Sequence, residues 1–118
     1  MAEVFELELL AAIARAMAIS LALTLLLEGL LALLWGVRGR RDWLLLLGAN
    51  CLTNPVVWVA HWGAGGGWAV VAALELAAVA AEWLLYRQWG KSLRPALLFS
   101  LCANGFSFCG GLLLQALL

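Results

Sequence analysis

Two carboxylates and two carboxamides stand out in a chain that is otherwise largely apolar: Glu28 and Glu82, Asn50 and Asn104. Each Asn follows its Glu by 22 residues, and the second pair lies 54 residues after the first. Carboxylate and amide oxygens are hard ligands. At one depth in a low-dielectric medium they suit a cation, or a protonated or amine-bearing solute held by hydrogen bonds. Two neighbouring carboxylates in such a medium do not both ionise, so one is expected to carry a proton near neutrality. Thr53, Asn54, Glu75 and Ser107 complete the candidate ligand- or ion-binding set. Which metal, if any, it would take is left open by these residue types. Glu75 breaks the pairing, since the equivalent position in the first half is Leu21. The same groups also admit a structural role, in which each Glu, protonated, bonds the Asn of its own half and locks a helical hairpin.

The elements that carry these groups form an internal repeat. At the same offset of 54, Trp35-Gly36 falls on Trp89-Gly90, Arg40 on Arg94, Ala49-Asn50 on Ala103-Asn104, and Thr53 meets Ser107. Leucine matches mean little in an apolar chain. The Glu, Trp-Gly, Arg and Asn matches are rarer letters in one frame and indicate a tandem unit. Repeat one covers about 16–62 and repeat two about 68–118, within a single transmembrane domain.

Composition sets the medium. Of 118 residues, 66% are hydrophobic and only 12% charged, against about half and about a quarter in ordinary soluble domains. A lipid bilayer is therefore the expected surroundings, and a net charge of zero gives no pull towards nucleic acid. A spanning helix takes about 20 mostly apolar residues. Four segments qualify, at about 16–35, 43–62, 68–89 and 96 onward, with tryptophans 35, 43, 62, 68 and 89 at their ends as an aromatic belt. Residues 1–15 read as a helical extension, interfacial or protruding, acidic at Glu3, Glu6 and Glu8 and without the basic start of a signal peptide. Gly63 to Gly67 is a plain turn.

The basic residues set the orientation. Arg38, Arg40 and Arg41 share one loop, and Arg87, Lys91 and Arg94 cluster at the other. By the positive-inside rule both loops are cytoplasmic and both termini extracytoplasmic. Both hairpins then insert in one sense, related by a pseudo-two-fold axis along the membrane normal. The expected fold is an all-α integral membrane four-helix bundle made of two such hairpins. Counting 1.5 Å per residue from the loops puts both acids and both amides in one layer, roughly 10 Å inside the cytoplasmic interface.

Helical spacing gives every span one polar seam: Ser20, Thr24 and Glu28; Asn50, Thr53, Asn54, Val57 and His61; Glu75, Glu82 and Tyr86; Ser100, Asn104, Ser107 and Gly111. A lone charge at mid-bilayer costs about 2.5–3.5 kcal/mol on the lenient insertion scale, so the seams must face one another. Pro55 frees a backbone carbonyl near Cys51, with Thr53 and Asn54 placed to re-satisfy it. Ala103, Ser107 and Gly111 form a small-residue stripe for close helix approach. Cys51, Cys102 and Cys109 read as buried small hydrophobes. No nucleophile or metal constellation marks a catalytic residue, and no cofactor is implied.

Glu28-Gly29 followed by Asn50-Cys51-Leu52-Thr53-Asn54-Pro55 resembles small bacterial four-helix membrane proteins of unassigned activity that carry an E-G…N-x-x-T-N-P motif. The resemblance covers most of the chain and implies a bacterial inner-membrane location. The second repeat departs from the motif at Gly105, Phe108 and Cys109. The functional expectation is a small transporter or channel-like protein for a cation or small protonated or amine solute. Four helices leave little room for a pore, so a homo-oligomer is expected. The alternative is a non-transporting membrane subunit that docks a partner protein or lipid, with the Glu/Asn layer purely structural.

Overall fold

The chain folds into four α-helices, α1 (Ala2–Trp35), α2 (Arg40–Ala64), α3 (Trp68–Trp89) and α4 (Ala96–Leu117). The computed structural model describes the backbone of residues 1–65 and 67–117, and their side chains except at positions 58, 59, 61–64, 114 and 115. The side chains of His61 and Trp62 therefore lie outside the described residues. Each helix packs on two others: α1 and α3 both touch α2 and α4, and neither diagonal pair is in contact among the described residues. Among those residues α1, α3 and Ala96–Leu113 of α4 are long and apolar enough to cross a membrane. Arg40, Arg41 and Asp42 head α2, and Asn50, Thr53, Asn54 and Pro55 fall along it.

Local sequence explains the ends. α1 stops at Gly36, whose φ of 95° is the left-handed conformation that favours glycine. The Val37 N–H then donates back to the Ala32 carbonyl at 2.9 Å and closes the turn. The second Trp-Gly differs, since Gly90 is extended at φ −76°. A Cβ at Gly90 would lie 2.5 Å from the Tyr86 carbonyl oxygen, so close approach, not handedness, calls for glycine there. α4 starts after Pro95, whose carbonyl accepts the first helical bond, from Phe99 N–H at 2.9 Å. The N-terminal extension is helical, as expected. It is the first part of α1, continuous and mostly exposed.

Burial is inverted relative to a water-soluble protein. Fully buried side chains include Glu28, Glu82, Asn50, Asp42 and Ser100, whereas Leu26, Leu33, Leu34, Leu52 and Leu76 lie mostly exposed on the outside. The apolar core sits at the basic-loop end: Ala32, Val37, Leu46, Tyr86, Leu93 and Phe99 form it, with Trp35 packed against them. Phe99 meets both Trp35 and Tyr86 edge-on, at 5.4 Å between centroids.

Two sequence expectations are corrected here. The cysteines are not buried packing, for Cys51 and Cys109 are exposed and Cys102 half-buried. The close approach of α4 to α1 is at Gly110, where a Cβ would fall 2.7 Å from Leu27 Cδ1. Gly111, the expected member of the stripe, has open space beside it among the described residues.

Candidate functional site

The four seams converge on a cavity of about 380 Å³. α1 contributes Ser20 and Thr24, α2 Asn50, Thr53 and Asn54, α3 Glu75, and α4 Asn104 and Ser107. Its wall is apolar elsewhere, with Leu23, Val57, Val71, Leu74 and Phe108. Trp68, which begins α3 and is largely exposed, carries the lining to the glycine-turn end. The basic-loop end lies beyond the packed core. The chamber therefore sits between the Glu28/Glu82 layer and the glycine turn, and Glu75 is the only charged side chain among the described lining residues.

Of the eight residues singled out in the sequence, Asn50, Thr53, Asn54, Glu75, Asn104 and Ser107 line this space. Glu28 and Glu82 do not. They lie just behind Asn50 and Asn104, with at most 1% of either exposed. The two acids are close enough for their charges to interact, and Glu75 is near enough to act on both.

Each Asn side chain lies near enough to the carboxyl of its own half to act on it, as a hairpin lock requires, but the amide bonds with resolved geometry run elsewhere. The Asn50 amide donates to the Leu46 carbonyl at 2.9 Å, and the Asn104 amide to the Ser100 carbonyl at the same distance. Both amides thus bond their own helix one turn back. Glu82 accepts the Tyr86 hydroxyl at 3.0 Å and the Thr53 hydroxyl at 3.5 Å, the latter from the other half of the chain. Position 32, equivalent to Tyr86, is a fully buried Ala. Glu28 consequently has no such hydroxyl, and both its carboxyl oxygens are buried without a hydrogen-bond partner among the described residues. A buried polar atom left unmade costs about 1–3 kcal/mol, more for a charged group, so an orphaned carboxyl beside a polar chamber needs a physical reason.

Thr53 and Asn54 do not re-satisfy the carbonyl that Pro55 frees. The Thr53 hydroxyl goes to the Ala49 carbonyl at 3.0 Å and Asn54 donates to Thr24 Oγ1 at 3.3 Å, so neither turns to the carbonyl of Cys51. Asn54 instead ties α2 to α1 across the chamber wall, and its Oδ1 is a third buried atom without a partner among the described residues. Among those residues no group of three or more His, Cys, Asp or Glu could hold a metal ion.

Sequence reasoning missed a second polar centre, at the basic-loop end. Asp42, only 2% exposed, accepts the backbone N–H groups of Lys91 and Ser92 at 2.8 and 2.9 Å, and the Ser92 hydroxyl as well. Trp35 adds an Nε1–H bond to the Arg94 carbonyl at 3.3 Å. The two basic loops are thereby stapled together. Burial pushes the Asp42 carboxyl up, but the Ser92 hydroxyl, the two backbone N–H groups and the Arg41 charge outweigh it and hold it below the ordinary aspartate value. The available signal was slight: an acid that stands alone in an arginine-rich loop and opens a helix, where its charge also favours the N-terminal dipole. Compared with known proteins, the chain matches no family model, no curated protein and no solved structure.

Proposed function

We propose that this chain is a small multi-pass protein of the bacterial inner membrane, a transporter or channel-like protein that takes a cation or small protonated solute into its chamber. The observation that carries this reading is the chamber itself: polar groups from all four helices, one carboxylate in the lining, and a fully buried carboxyl, Glu28, near Asn50 of that lining. The outward leucines support lipid surroundings, because exposed apolar surface of this extent is unfavourable in water. The paired backbonding of Asn50 and Asn104 and the shared burial of Ala49 and Ala103 support two related hairpins. With the basic loops cytoplasmic, the chamber faces the other side of the membrane. Movement across the bilayer then requires the Asp42 staple and the core beneath it to part, or a second copy to complete the path.

One observation favours the quieter reading, a non-transporting subunit that docks a membrane partner or lipid. Glu82 is held by the Tyr86 hydroxyl, with Thr53 nearby, as a structural acid would be. Flux into proteoliposomes separates the two. With methylammonium, sodium and potassium tested in turn, wild-type protein should move at least one, and Glu75→Gln and the Glu28→Gln/Glu82→Gln pair should each lower that flux at least tenfold. Flux equal to wild type in both variants overturns the chamber reading. No flux from any protein, with a specific partner co-purifying, selects the subunit.

A further inference from the structure

A second space adjoins the chamber. It is a groove of about 250 Å³ between α3 and α4, and Trp68, Val71, Glu75, Asn104 and Phe108 line both. The rest of its lining is apolar: Ala72, Leu76 and Val79 on α3, Leu101 and Gly105 on α4. Leu76 is 65% exposed and Leu101 45%, so the groove opens on the outer surface, which faces acyl chains in a bilayer. Glu75 thus stands at the seam between a polar chamber inside and an apolar groove outside. Together the two spaces fall in the size range of small-molecule sites, about 300–1,000 Å³.

We infer that this junction binds an amphiphilic protonated amine, with its ammonium against Glu75 in the chamber and its apolar tail lying outward along the α3–α4 groove. The inference rests on the chamber reading above and adds the chemistry of the occupant. Charge complementarity selects a cation, since Glu75 is the only charged residue among the described lining of either space. An ammonium carries several N–H donors or a compact charge, and the Asn50 and Ser107 oxygens beside the same space can share it. Beyond Glu75, Asn104 and the indole N–H of Trp68, the described lining of the groove is apolar, so it suits hydrocarbon. The occupant is a free amine and not an aminophospholipid. A phosphate would lie against the Glu75 carboxylate, and neither space has a Lys or Arg among its described lining to receive it.

The test uses the full-length protein in phosphatidylcholine nanodiscs. One probe is octylamine bearing an aliphatic diazirine, photolysed and mapped by peptide mass spectrometry. The other is radiolabelled methylammonium, which has no tail. Label should concentrate on α3 and α4 around Ala72, Leu76 and Leu101, while the matching diazirine alcohol shows no preferred segment. Glu75→Gln should lower both octylamine labelling and methylammonium binding at least tenfold. Gly105→Leu fills the groove at a position where an added Cβ meets nothing within 4 Å, so the variant should fold. It should lower octylamine labelling at least tenfold relative to methylammonium binding. Octylamine label spread evenly over the outer surface, with methylammonium still dependent on Glu75, overturns the inference and leaves the chamber reading standing. Loss of Glu75 dependence for both probes overturns both. Displacement of octylamine by phosphatidylethanolamine nanodiscs overturns the choice of a free amine.

Discussion

Removing Asp42 should loosen the basic-loop end of the molecule without touching the chamber. Its carboxylate receives three donors, from Lys91 N–H, Ser92 N–H and Ser92 Oγ–H. Hydrogen bonds to a charged group contribute about 1.5–3 kcal/mol each, but three sharing one carboxylate are not additive. Lys91 and Ser92 are themselves exposed, so their freed donors regain water. On that basis Asp42→Ala should cost about 2–3 kcal/mol, roughly 30- to 150-fold in the folded-to-unfolded ratio. Ser92→Ala removes only one of the three bonds and should cost about 1 kcal/mol. The assay is reversible unfolding in mixed micelles as the mole fraction of SDS rises, followed by tryptophan fluorescence. Its pH dependence supplies a second check. The folded-state pKa of Asp42 is depressed below its ordinary 3.8. Its contribution is therefore fully present above pH 3.8 and is lost as pH falls from there through the folded value. The gap between wild type and Asp42→Ala should stay constant from pH 7 to 5 and narrow below pH 3.8. A gap under about 0.5 kcal/mol at neutral pH, or one that widens on acidification, would refute the reasoning.

Two other perturbations follow from the geometry. Tyr86→Phe takes from Glu82 its shorter hydrogen bond, leaving only Thr53 at 3.5 Å, and should destabilise by about 1–3 kcal/mol in the same titration. Gly110→Val drives a branched side chain against Leu27 and should cost about 1–3 kcal/mol, with Leu27→Ala in the same chain restoring most of it; Gly111→Ala, one residue on in open space, should be close to neutral.

The helices were readable because the chain punctuates them. Trp-Gly pairs, arginines and glycines mark the ends, and the expected spans 43–62 and 68–89 fall within or on Arg40–Ala64 and Trp68–Trp89. The polar seams were readable for the same reason that amphipathic helices are: residues three and four apart share a face. Partner choice was not. Glu82 has a tyrosine a turn later and Glu28 an alanine, and only the packed bundle shows that no hydroxyl among the described residues reaches Glu28 in the tyrosine's place. The amides lie beside their acids, as spacing suggested, but each also donates to its own backbone one turn back, a choice set by side-chain rotamer and not by spacing. Gly110 and Gly111 differ by one residue, about 100° around the helix, and helix rotation decides which meets Leu27. The Asp42 staple joins residues about fifty apart, and only the tertiary approach of two loops creates it.

Oriented as proposed, the polar chamber opens to water on the membrane face opposite the basic loops. Ser107→Cys, placed on the chamber wall in a chain carrying Cys51→Ala, Cys102→Ala and Cys109→Ala, measures it directly. A membrane-impermeant methanethiosulfonate should react with it in right-side-out vesicles, should fail to do so in inside-out vesicles, and should be slowed by methylammonium. No reaction from either face, or reaction only from the face that carries the arginines, would contradict the chamber as described.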